Sequence, residues 1–117
     1  MGNPLCHFEF MTDDPAKTRA FYSKVFQWEF DDKSMPGYTL IKTGSAQFGG
    51  GLMKRPEKCP HVGISVYFMV DDIEQTLKTV AAGGGRTLVP KTPIPSVGHF
   101  AVFADPDGIG VGLFQGQ

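Results

Sequence analysis

The chain repeats itself, and this repeat restricts its fold more than any other feature. Phe10-Met11-Thr12-Asp13-Asp14 recurs 58 residues later as Phe68-Met69-Val70-Asp71-Asp72, and Thr18 meets Thr76 at the same offset. Gly37-Tyr38-Thr39-Leu40-Ile41 matches Gly98-His99-Phe100-Ala101-Val102, and Gly49-Gly50-Gly51-Leu52-Met53 matches Gly110-Val111-Gly112-Leu113-Phe114, now 61 residues apart. Two copies of one supersecondary unit are therefore expected within 117 residues, a length that suits one domain. The three extra residues of the second copy fall most simply in the proline-rich stretch Lys91–Val97.

Each copy reads alike. An apolar strand (Leu5–Met11; Ile64–Val70) runs into an Asp pair, whose second member suits a helix N-cap because its carboxylate accepts from orphan N–H groups. Pro15 fits the first helical position. Ala16, Ala20, Phe21 and Val25 form an apolar stripe at helical spacing, as do Ile73, Leu77, Val80 and Ala81, and Gly83-Gly84-Gly85 stops the second helix. Three further strands follow in each copy: Trp28–Asp31, Tyr38–Thr43 and Gly49–Lys54, then Thr87–Val89, Phe100–Ala104 and Gly110–Gln115. Asp105-Pro106-Asp107-Gly108 is a turn that joins the last two as a hairpin. The expected fold class is α+β, tandem βαβββ modules over residues 4–56 and 63–117 with a linker at 57–62.

Charge narrows the partners. Eleven Lys and Arg against twelve Asp and Glu, with no basic run, leave no electrostatic footprint for nucleic acid or an anionic membrane. No apolar run reaches the ~18 residues of a spanning helix, and Met1-Gly2-Asn3-Pro4 lacks the regions of a signal peptide, so a cytoplasmic protein with Cys6 and Cys59 reduced is expected. Fifteen glycines exceed ordinary usage, and they are expected in turns or where something approaches the backbone closely.

The tandem pattern, His7 ahead of the Asp14-Pro15 helix start with Phe21-Tyr22, the Asp105–Gly108 turn and the closing Gly112-Leu113-Phe114 resemble the glyoxalase, bleomycin-resistance and extradiol-dioxygenase superfamily, also called vicinal oxygen chelate proteins. Gly50–Pro56 and Val89–Pro95 resemble most the branch of proteins related to lactoylglutathione lyase. The resemblance implies curved mixed sheets with helices on the outer face, a homodimer of two-module chains, and, in metal-using members, four ligands from the first and last strand of each module.

Carried onto this sequence, those four positions are His7, Gly51, Ser65 and Gly112. Only His7 is a ligand type, and a shift of two residues brings in Glu9 but otherwise only Gly49, Gly110 and Tyr67. No metal or other cofactor is expected, with a divalent ion as the alternative, and the glycines either widen a cavity floor or merely ease strand curvature. Strand alternation puts Cys6, Phe8 and Phe10 toward the helix, with Cys6 in the core, and His7, Glu9 and Met11 on the other face.

The candidate catalytic residues are His7, Glu9 and Tyr67, and the candidate ligand-binding residues are Gly51, Met53, Ser65, Met69, Gly112 and Phe114. A His, a Glu and a Tyr in an otherwise apolar cup suit fixing a small molecule, with His7 or Glu9 as a general base. A self-satisfied polar cluster is the plainer alternative. Lys91–Val97 could cover the cup, with Lys91 and Arg55 as anion contacts. Tyr22 and Trp28 are packing residues, His61 and His99 are rim or surface positions, and Cys59 has no nearby base or basic run to activate it as a nucleophile. The expected function is a small-molecule binding protein or enzyme without metal. The alternatives are a metal-dependent lyase or isomerase of the glyoxalase type and an antibiotic-sequestering protein.

Overall fold

The computed structural model describes residues 2–57 and 63–117, so Cys59 and His61 lie outside the described residues. Its elements, in chain order, are β1 (Leu5–Thr12), α1 (Pro15–Phe26), β2 (Glu29–Asp31), β3 (Thr39–Lys42), β4 (Gly50–Lys54), β5 (Gly63–Met69), α2 (Ile73–Ala82), β6 (Arg86–Ile94), β7 (Gly98–Ala104) and β8 (Gly110–Gly116). The fold is α+β, and the chain divides into two compact units: His7–Ser65, and residues up to Cys6 with Val66–Gln117.

In the first unit, residues 7–65, the strand order is β2-β3-β4-β1, with β1 parallel to β4 and the other pairs antiparallel. The core is aromatic. Phe10, Ile41 and Leu52 are buried, and Phe8, Tyr22, Trp28 and Phe30 pack on them. Asp14 caps α1 by accepting from the backbone N–H of Lys17 at 3.2 Å, and Pro15 opens the helix. The helix ends at Gln27, whose left-handed backbone (φ 55°) lets its N–H reach the Ser23 carbonyl at 3.0 Å.

The inward face of α1 differs from the expected stripe. Ala16, Ala20, Phe21 and Val25 are exposed, Phe21 by 58%, whereas Thr18, Arg19, Tyr22 and Ser23 turn inward. The reason is ring area. Tyr22 packs against Phe10 and Trp28 at centroid distances of 5.0 and 5.4 Å, and Arg19 lies over Phe30 while pairing with Asp32, so two amphipathic side chains outweigh two alanines in setting the helix's rotation.

The second unit has the order β5-β8-β7-β6, with β5 parallel to β8 and the other pairs antiparallel. Its core is aliphatic: Val70, Ile73, Ala101 and Leu113, with Leu77 and Phe103 against them. Here α2 buries much of the expected face, Ile73 completely, with only Ala81 turned outward. Asp72 accepts from Gln75 N–H, and the Ile73 N–H donates to Gln115 Oε1 at 2.8 Å, so two of the helix's orphan donors are satisfied. At the β7–β8 turn Asp105 Oδ1 accepts from Asp107 and Ile109 N–H, both at 2.9 Å, while Gly108 supplies φ 91°.

Lys91–Val97 is no free loop. β6 continues to Ile94 and pairs with β7, and the chain reverses through Pro95-Ser96, with Ser96 at φ 66° and the Val97 N–H on the Ile94 carbonyl. Cys6 also departs from expectation: it is only half-buried, its thiol is free, and it donates to the Tyr67 carbonyl at 3.6 Å.

Candidate functional site

In the first unit, Phe8 and Phe10 face α1, so alternation turns His7, Glu9 and Met11 to the opposite face of the sheet. Register carries that face across the strands. Glu9 stands opposite Gly51 on β4, and Gly51 opposite Leu40 on β3. Met53 lies on the same face, one alternation beyond Gly51, and Tyr38 one alternation before Leu40.

These residues meet in a hydrogen-bonded line. The Tyr38 hydroxyl donates to Glu9 Oε2 at 2.7 Å, and His7 Nε2 lies 2.8 Å from the same phenol oxygen. Since the Tyr38 proton goes to Glu9, the phenol accepts from His7 Nε2–H, and the neutral ring carries its lone pair on Nδ1. The rings of His7 and Tyr38 stack at 6.2 Å with 29° between their planes. Glu9 is only 8% exposed, and a carboxylate so placed needs partners such as this phenol. Burial holds the His7 imidazole below its ordinary value, favouring the neutral ring. An imidazole whose N–H is committed through a phenol toward a carboxylate is held in one orientation and one tautomer.

Gly51 makes this line possible. A Cβ built at residue 51 would fall on Oη and Cζ of Tyr38. The same happens in the second unit, where a Cβ at Gly112 would fall on the Tyr67 ring, directly across the β5–β8 ladder. The expected wider cavity floor is therefore replaced by two tyrosine rings. On the Tyr67 face alternation also places Ser65 and Met69, with Phe114 opposite Met69 and Val102 opposite Gly112. His99 lies on the other face with Ala101 and Gln115. The structure thus joins His7 with Glu9 through Tyr38, and sets Tyr67 over Gly112 in the second unit.

Arg55 pairs with Asp13 at 2.9 Å and Lys91 with Glu74 at 4.0 Å, so both expected anion contacts already have carboxylate partners. A hollow of about 440 Å³ lies under the β3–β4 connection, lined by residues 41–49, apart from the His7 line.

Sequence reasoning missed Tyr38, although a signal existed. In sequence its block matches the second copy at an offset of 61, yet Leu40 faces Gly51 while Val102 faces Gly112, so the strands correspond at 62. A slip of one residue reverses every side chain's face. The true counterpart of Tyr38 is Phe100, not His99.

Comparison with known proteins fixes the family. A sequence model of the Glyoxalase/Bleomycin resistance protein/Dioxygenase superfamily matches residues 5–113. The chain belongs to this superfamily. Among the superfamily's relatives it is 37% identical over 103 residues to "Putative glyoxylase CFP32" of Mycobacterium tuberculosis, covering 86% of this chain and 39% of that one. It is 28% identical to a glyoxylase-like domain-containing protein of Didymella fabae, covering 86% and 84%, and 26% identical to the anthracycline biosynthesis protein DnrV of Streptomyces peucetius, covering 92% and 45%. The chain therefore spans about two-fifths of CFP32's length. Solved structures share the fold: methylmalonyl-CoA epimerase from M. tuberculosis (TM-score 0.69, 13% identity, 97% and 87% covered) and the Mn(II)-bound glyoxalase from Novosphingobium aromaticivorans (TM-score 0.67, 16% identity, 95% and 37% covered).

Gly51 and Gly112, the two last-strand positions at which the resemblance implies metal ligands, carry no side chain, and the space where one would begin is filled by Tyr38 and Tyr67. Among the described residues, no group of three or more His, Cys, Asp or Glu could hold an ion. No helix of the described residues is long and apolar enough to cross a membrane.

Proposed function

We propose that the protein binds a small organic molecule, without a metal ion, at the sheet face carrying His7, Tyr38 and Glu9, and that it does so in the cytoplasm as a homodimer. The observation that carries this reading is the Tyr38 phenol over Gly51, bonded to both His7 and Glu9. It puts an organic hydrogen-bonding line where the metal-using relatives would need a ligand. His7 is the candidate base, Glu9 the buried anion behind it, and Met53 part of the apolar surround. In the second unit Tyr67, Met69, Gly112 and Phe114, with Ser65 before them on β5, are the candidate ligand contacts. The exposed stripe Ala16, Ala20, Phe21 and Val25 supports association, and a single-chain mass in solution scattering would count against a dimer.

Elemental analysis of the dialysed protein tests the central claim. The expected result is no stoichiometric metal, with native mass spectrometry detecting an organic ligand carried through purification. Stoichiometric Zn, Ni, Fe or Mn that is lost in His7→Ala would overturn it.

A second reading, sequestration without turnover, is favoured by the second unit's aromatic face. Tyr67, Phe100 and Phe114 there suit stacking on a planar molecule. Recovery of unchanged ligand after long incubation supports this reading, and turnover excludes it.

A further inference from the structure

We propose that Tyr38 is the positioning residue of the His7–Glu9 face and that Gly51 is its seat, so that residue 51 can carry a side chain only if Tyr38 is removed. The inference follows from the strand order. Tyr38 immediately precedes β3, its partners stand on β1, and β4 runs between β3 and β1. Two strand spacings, ~9.6 Å, separate β3 from β1. A tyrosine spans that gap only by lying across the middle strand, and the middle strand must then offer no side chain at the crossing. Gly51 is that crossing, opposite Leu40 on one side and Glu9 on the other.

The ring cannot yield to a methyl group cheaply. Tyr38 is held by accepting from His7 and by donating to a carboxylate that is itself buried, so moving the phenol breaks both bonds and takes a partner from Glu9. Gly51 has no polar side chain and touches no proton of the line, yet it decides whether the line exists. The inference rests on the site proposed above only for what the line is used for.

The test reads the line itself, so its failure is distinct from the failure of metal or ligand analysis. It uses Gly51→Ala, Tyr38→Phe, Tyr38→Ala and the double variant Gly51→Ala with Tyr38→Ala. In the native protein the His7 Nε2–H proton is expected as a slowly exchanging, downfield resonance in ¹H–¹⁵N spectra. It should be lost in Tyr38→Phe, which keeps the ring, and equally in Gly51→Ala, which keeps the phenol. In urea, Gly51→Ala should raise the unfolding equilibrium constant by about tenfold or more with Tyr38 present, and by less than about threefold in the Tyr38→Ala background. A Gly51→Ala protein that cannot fold, beside a folded double variant, is the same result in stronger form. Equal cost in both backgrounds, including loss of folding in both, would overturn the proposal. So would a His7 resonance that is missing from the native protein or survives in Gly51→Ala.

Discussion

The two units solve one backbone problem differently. Each has a glycine on its last strand, Gly51 or Gly112, and each covers it with a tyrosine ring. In the second unit the ring comes from the strand paired directly with the glycine, since Tyr67 faces Gly112 across the β5–β8 ladder. In the first it comes from the far side, and Tyr38 crosses β4 to reach His7 and Glu9 on β1. Along the repeat, the counterparts of His7, Glu9 and Tyr38 are Ser65, Tyr67 and Phe100. The bare glycine therefore settles little about chemistry: the strand that supplies the ring decides whether the covered surface is aromatic or carries a line of proton donors and acceptors.

The comparison can be broken first at the cores. Among the described residues, Leu52 and Ile73 are the largest fully buried side chains, one in each unit. Leu52→Ala and Ile73→Ala should each cost about 2–5 kcal/mol in urea denaturation, and a loss under about 1 kcal/mol from either would mean that its unit has another keystone. Next come the glycines. Gly112→Ala should cost about 1–3 kcal/mol through overpacking against Tyr67 while leaving the His7 N–H resonance in place, and disappearance of that resonance would undo the distinction between the units.

A smaller effect is expected at His7, whose imidazole should titrate below its ordinary 6.5 when followed by its Hε1 shift in NMR. The unfolded chain then takes up the proton more readily than the folded one, so His7 lowers stability as pH falls below about 6.5, levelling off below the folded value. Titration at or above 6.5 would show that burial is offset. The smallest effect is at the first unit's surface. Asp31 is lowered from 3.8 to about 2, first by the Ser34 hydroxyl and then by the Lys33 and Ser34 N–H groups, so its favourable contribution is lost as pH falls through about 2. Ser34→Ala should raise that titration measurably, and an unmoved carboxyl would assign the shift to the backbone donors.

The architecture was legible because duplication and caps are local signals. Asp14, Asp72, Pro15 and the Asp105–Gly108 turn act on their own neighbours, and local chemistry can be read in a linear sequence. The rotation of α1 was not legible, because Tyr22 and Arg19 bury large apolar areas while counting as polar beside the apolar stripe of Ala16, Ala20, Phe21 and Val25. His7, Glu9 and Gly51 were visible as candidates through alternation and offset. Tyr38 was hidden by a register difference of one residue, which only the β3–β4 and β7–β8 ladders display.

Trp28, described above as one ring in the first core, also makes the molecule optically lopsided. It is the chain's single tryptophan, and it sits among Phe8, Phe10, Tyr22 and Phe26 at centroid distances of 5.1 to 6.1 Å. Emission excited in the tryptophan band therefore reports on residues 7–65, while the other unit is dark at that wavelength. Calorimetry senses both. A fluorescence transition that coincides with the heat-capacity peak would mean the two halves melt as one cooperative block, and an early or late one would time the melting of one half against the other.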